Sequence, residues 1–132
     1  MKIIVDNPKE VNGFRVVQDE YEIAVALSNG ETVMHWERGT SMYPILMDAE
    51  YCKISPVKKE NVKVGDAVFC CFLDEERTPY FMVHRCTEIY NRDGELFFKI
   101  EGTTGQIFGW TPEVLGIAES TNVFNETKNF DY

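Results

Sequence analysis

Two apolar runs separated by a short charged segment restrict the fold of this chain more than any other feature. Residues 67–73, Ala-Val-Phe-Cys-Cys-Phe-Leu, are continuously apolar, as a strand buried on both faces requires. Asp74-Glu75-Glu76-Arg77-Thr78-Pro79 follows and reads as a solvated hairpin tip. Residues 80–90 are rich in aromatic and β-branched side chains, which favour a long strand. Period-two alternation predicts Phe81, Val83, Arg85, Thr87 and Ile89 on one face, with Tyr80, Met82, His84, Cys86 and Glu88 on the other. Asn91-Arg92-Asp93-Gly94 then carries the Asp-Gly signal of a tight hairpin, and residues 96–101 read as the returning strand. A chain with this centre is built around antiparallel strands.

The flanks extend the same pattern. Residues 32–38 and 51–54 read as strands, the second closed by Ser55-Pro56. Residues 57–63 form a connection that ends in the turn Val64-Gly65-Asp66. Residues 102–112 contain three glycines and read as a loop, residues 114–119 as a last strand, and residues 120–132 as a polar tail. At the amino end, residues 1–13 read as an extended arm with a turn at Asn12-Gly13. Asp19-x-x-Glu22 has the form of a capping box, Ile23, Ala24 and Leu27 form one apolar stripe, and Gly30 stands where a helix would be capped. These features predict a helix over residues 14–29. A hairpin at Asn29-Gly30 competes, because Ile23, Val25 and Leu27 also alternate; the two alanines and the capping box favour the helix. The fold class is mostly β with a short N-terminal helix. The 132 residues fit one domain, divided into arm and helix (1–30), β core (31–119) and tail (120–132).

Composition narrows the partners. A formal charge of −9 with a pI near 4.7 opposes binding to nucleic-acid phosphates. Cys52, Cys70, Cys71 and Cys86 lie in apolar runs without a Cys-x-x-Cys spacing, so neither a zinc site nor any cofactor is expected. Adjacent Cys70 and Cys71 point to opposite faces of a strand and cannot form an ordinary disulfide. Reduced thiols suit a cytoplasmic location. The first apolar run is too short for a signal peptide, and no stretch approaches the roughly 18 apolar residues of a membrane-spanning helix.

Gly39-Thr40-Ser41-Met42-Tyr43-Pro44-Ile45-Leu46 places a hydroxyl at a turn after a strand. A serine hydroxyl needs a neighbouring base to act as a nucleophile, and histidine is suited to that role near neutrality. Met82-Val83-His84-Arg85 supplies an imidazole on a later strand. Structural alternatives exist for each: Thr40 and Ser41 as turn caps, and His84 as a satisfied core histidine. His35, beside Trp36, reads as packing or surface.

Taken together, Ser-Met-x-Pro after glycine (Gly39 to Pro44), Lys63-Val64-Gly65-Asp66-Ala67-Val68, Val83-His84-Arg85 and Ile100-Glu101-Gly102 resemble, in order and approximate spacing, the type I signal peptidase clan. That clan includes the LexA-like self-cleaving repressors, and the likeness covers about residues 31 to 119. The resemblance implies a coiled, twisted antiparallel sheet with its site in a shallow groove. It makes Ser41 the nucleophile and His84 the base, as in the histidine-using branch. Gly39, Thr40, Met42 and Pro44 then surround the oxyanion and substrate, which is a leader or signal-like peptide bound as an added strand. Three departures accompany it. Thr103 stands where the histidine branch has aspartate, and no acid follows before Glu113. Gly39 stands where many bacterial members have a serine. No membrane anchor is evident, so contact with a membrane would require a recruiting partner. The missing aspartate makes a catalytically inactive member, binding peptides or itself, the alternative expectation. A self-cleaving repressor would want a preceding DNA-binding segment, a lysine base and an Ala-Gly cleavage site, none of which is present.

Overall fold

The computed structural model describes residues 3–38, 42 and 45–125. In chain order its strands and helix are β1 (Ile3–Ile4), β2 (Glu10–Val11), β3 (Phe14–Arg15), α1 (Glu20–Ser28), β4 (Val33–Glu37), β5 (Glu50–Pro56), β6 (Ala67–Leu73), β7 (Pro79–Arg92), β8 (Glu95–Glu101), β9 (Ile107–Thr111) and β10 (Glu113–Phe124). The described chain is mostly β, with one short α-helix. The main sheet runs β4-β5-β10-β6-β7-β8-β9 with antiparallel neighbours. β1 adds to β10 in parallel, and β2 and β3 form a separate hairpin.

The β6–β7 hairpin forms where the apolar runs predict it. Asp74 closes its tip by accepting the amide N–H groups of Glu76 and Thr78, each at 2.8 Å. β6 carries apolar side chains on both faces. Ala67 and Phe69 join the core under α1, with Ile23, Leu27, Val33, Cys52, Ile54 and Val83. Val68 and Cys70 face a second core containing Phe98, Ile100, Cys86 and Val114. A third cluster joins Val11, Met34, Tyr51 and Val123.

Several boundaries correct the sequence reading. The helix begins at Glu20, not near residue 14, because Asp19 caps it by accepting the Glu22 amide at 3.0 Å. The preceding residues pair instead: Asn12 and Gly13 turn β2 into β3 with positive φ at both positions, and Val17 donates its amide to Met34 of β4 at 2.8 Å. The glycine-rich segment read as a loop contains β9, with Gly109 at φ +115° next to a shift in the β8–β9 register. β10 continues through residue 124, so the start of the supposed tail is strand; Phe124 is buried there. A register shift between Cys86 and Glu88 breaks the predicted alternation of β7. Ile89 therefore joins the cluster of Met82 and Cys86 rather than the face of Phe81 and Val83. An extra residue on one strand of a pair reverses the side-chain parity beyond it.

All four cysteines are free, and Cys52, Cys70 and Cys86 are buried. Burial pushes their thiols above the ordinary range, most strongly at Cys52 and Cys70. No helix among the described residues is long and apolar enough to cross a membrane.

Candidate active site

β4 is the edge strand that leads to the Ser41 segment, and β7 carries His84. The first turn of α1 ties the two regions together. The Tyr21 hydroxyl donates to the Pro79 carbonyl at 3.4 Å, and its ring meets Phe81 edge-on at 5.2 Å. Met42, which follows Ser41, is buried in the same cluster as Val83, which precedes His84. Ser41, Gly39, Thr40 and Pro44 lie outside the described residues. Of the predicted site, His84 and Met42 are the members described.

His84 sits opposite Val68 in the β6–β7 ladder. Its ring stacks on Phe108 of β9, with centroids 4.3 Å apart. Nδ1 is buried and has no hydrogen-bond partner among the described residues. Burial pushes its pKa below the usual histidine value, against the opposing charge of Glu37, because a desolvated imidazole holds a proton poorly. The resulting group is a half-buried neutral base with an unengaged nitrogen.

His35 is the opposite case. Its Nδ1 lies 3.0 Å from the Val17 carbonyl oxygen, and its Nε2 lies 3.3 Å from Glu37 Oε1. Both partners are acceptors, so full satisfaction requires both ring N–H groups, which only the imidazolium has. Burial acts against the charge, but the Glu37 carboxylate, the Val17 carbonyl and Glu20 outweigh it and raise the His35 pKa. The expectation that His35 packs or lies at the surface captures its burial but does not name the Val17 and Glu37 acceptors beside its ring. The spacing His35-x-Glu37 was the available signal: residues two apart on a strand share a face, which places an acid beside the imidazole.

The surrounding charges form one group at the end of β4. Glu37 stands opposite Glu50 in the β4–β5 ladder. Glu50 is fully buried, and its Oε1 accepts the Thr121 amide at 3.3 Å. Glu20, at the start of α1, is pushed upward by burial while His35 draws it down. No group of histidine, cysteine and acidic residues among those described is arranged to hold a metal ion.

The chain matches no protein-family model, no curated protein and no solved structure.

Proposed function

We propose that this chain is a serine endopeptidase of the signal peptidase and LexA-like clan, hydrolysing a peptide bond in a leader or signal-like segment through Ser41 and His84. The observation that carries this reading is the state of His84: a neutral imidazole, partly withdrawn from water, with Nδ1 uncommitted. A general base must be unprotonated and free to accept at working pH.

In this mechanism His84 takes the Ser41 proton as the serine oxygen attacks the substrate carbonyl. The C–N bond then breaks, and the proton passes from His84 to the departing amine, leaving an acyl-enzyme. Water, deprotonated by the same imidazole, releases the acid and restores Ser41. Backbone N–H groups around Ser41 would hold the oxyanion; each such donor is worth roughly 3–4 kcal/mol in the transition state. β9 offers an edge for an extended substrate beside the base, since Phe108 stacks on His84 and Ile107 is 67% exposed. The LexA and signal peptidase type of sheet belongs to the same reading. It is supported by apolar clusters on both faces of β6 and by the return of β9 toward β6, where the Thr111 hydroxyl donates to the Cys71 carbonyl at 2.6 Å. Buried free thiols favour a reducing, cytoplasmic setting.

A second reading, a peptide-binding or self-associating module of the same fold, is favoured by the lack of any carboxylate hydrogen-bonded to His84 among the described residues. A fluorophosphonate probe separates the two. Between about pH 6 and 9, a range bracketing histidine titration, the parent is expected to become covalently labelled and Ser41→Ala is not. An unlabelled parent throughout that range sinks the enzyme.

A further inference from the structure

We propose that Phe108 is the positioning residue of the candidate site: its ring, turned onto His84 by a bulge at Gly109, fixes the plane of the imidazole and keeps water from one of its faces. The catalytic meaning of this contact rests on the peptidase reading; the contact itself does not.

Period-two alternation would put Phe108 on the same face of β9 as Trp110, which is 43% exposed. The β8–β9 ladder shows why its ring lies elsewhere. Ile100 pairs with Gly109 and Glu101 with Ile107, so Phe108 is an extra residue between two paired ones. A bulge of this kind re-aims a side chain. Gly109 takes φ +115° at this point, a conformation open to glycine and strained for other residues. The Phe108 ring consequently lies on His84, with centroids 4.3 Å apart and an interplanar angle of 23°. His84 stands opposite Val68, which belongs to the core of Phe98 and Ile100.

The backbone on both sides of Phe108 is anchored. Before it, the Gly102 amide donates to the Gln106 carbonyl at 2.9 Å. After it, the Thr111 hydroxyl donates to the Cys71 carbonyl of β6 at 2.6 Å. Rotation of the imidazole out of its plane would drive its edge into the Phe108 ring. Stacking therefore limits a side chain whose Nδ1 has no hydrogen-bond partner among the described residues. In a triad a carboxylate sets the orientation of the base; here an aromatic face sets it without adding charge. The same face excludes water, which favours the neutral imidazole that a general base must be. The titratable groups nearby are the thiols of Cys70 and Cys86, in the core of Val68, and Glu37, whose charge favours the protonated ring. Burial outweighs Glu37, and Phe108 supplies part of that burial.

The test compares the parent with Phe108→Ala, Phe108→Tyr and Gly109→Ala, following the imidazole C–H resonances by NMR against pH. The chain has two histidines, so a His35→Gln spectrum assigns the His84 signals. In Phe108→Ala these signals are expected to lose the ring-current displacement of a stacked aromatic, and the His84 midpoint is expected to rise toward the ordinary value of about 6.5. Fluorophosphonate labelling of Ser41 is expected to slow by about ten- to a hundredfold, as for a misplaced reacting group, with its acid limb displaced to higher pH. Phe108→Tyr keeps the ring and is expected to retain the parental midpoint and limb. Gly109→Ala keeps Phe108 but strains the bulge, since a Cβ meets nothing closer than Phe72 at 3.9 Å and only the positive φ opposes it. It is expected to move the midpoint in the same direction, and it decides the matter if Phe108→Ala does not fold. Unchanged His84 resonances and midpoint in a folded Phe108→Ala, with Ser41 labelled at the parental rate, overturn the role of Phe108 and leave the peptidase standing. Slower labelling with an unmoved midpoint and limb would mean a purely structural role and overturns it as well. If the His84 signals move but the parent never labels, the peptidase reading falls, the positioning role falls with it, and only the ring contact survives.

Discussion

At the residue scale, the two histidines of this chain are in opposite protonation environments on strands that α1 brings together. His35 has its pKa raised in the folded state. Its contribution to stability is therefore full below the unfolded value of about 6.5 and disappears as pH rises through the higher folded value. His84 has its pKa lowered, so its contribution is present above the unfolded value and is lost as pH falls through the lower folded one. The two effects overlap in the parent, and a variant isolates one of them. His35→Gln is expected to lower stability by about 1.5–3 kcal/mol at pH 6, the range for a hydrogen bond to a charged group. The deficit should shrink as pH rises toward 9, as judged from urea midpoints at each pH. A deficit independent of pH would show that His35 is not held as a cation. The sequence puts His35 and Glu37 on one face, but it does not say that Val17 presents a second acceptor to the same ring.

At the element scale, the features that misled the reading were irregularities inside strands. Gly109 and the register shift beside it lie within β9, where a glycine usually signals a loop. β10 similarly absorbs a shift between Ser120 and Val123, with Asn122 at φ +62°, so its polar residues looked like a tail. Local signals worked where a turn stands alone: Asp93 and Gly94 both take positive φ, and Asn91 accepts the Gly94 amide at 2.9 Å. Gly116 carries a different constraint. It lies on central strand β10 beneath α1, and a Cβ there would stand 2.7 Å from the Ser55 carbonyl oxygen and 3.0 Å from Leu27 Cδ1. Because backbone cannot step aside as a flexible side chain would, Gly116→Ala is expected to cost about 1–3 kcal/mol, measured by urea unfolding. Asp19→Ala, which removes the α1 cap, is expected to cost about 1 kcal/mol.

At the scale of the whole molecule, β6 joins the two principal cores, with Phe69 in one and Val68 and Cys70 in the other. Loss of either core should therefore be felt by the other. Phe69→Ala and Phe98→Ala are each expected to cost about 3–5 kcal/mol. Trp36 on β4 and Trp110 on β9 lie on the two end strands of the main sheet order. Single-tryptophan variants should accordingly report coincident unfolding midpoints; separated midpoints would mean that the two cores melt independently. The amino-acid sequence by itself determined the strand-rich class, the β6–β7–β8 meander and the capped helix, because these follow from side-chain period, turn chemistry and local capping. Only the folded arrangement decided that α1 meets Pro79 and Phe81 of β7, that His35 has the Val17 carbonyl as well as Glu37 beside its ring, and that His84 stacks on Phe108. Those outcomes depend on desolvation and on partners distant in the chain, and neither is encoded in the spacing of neighbouring residues.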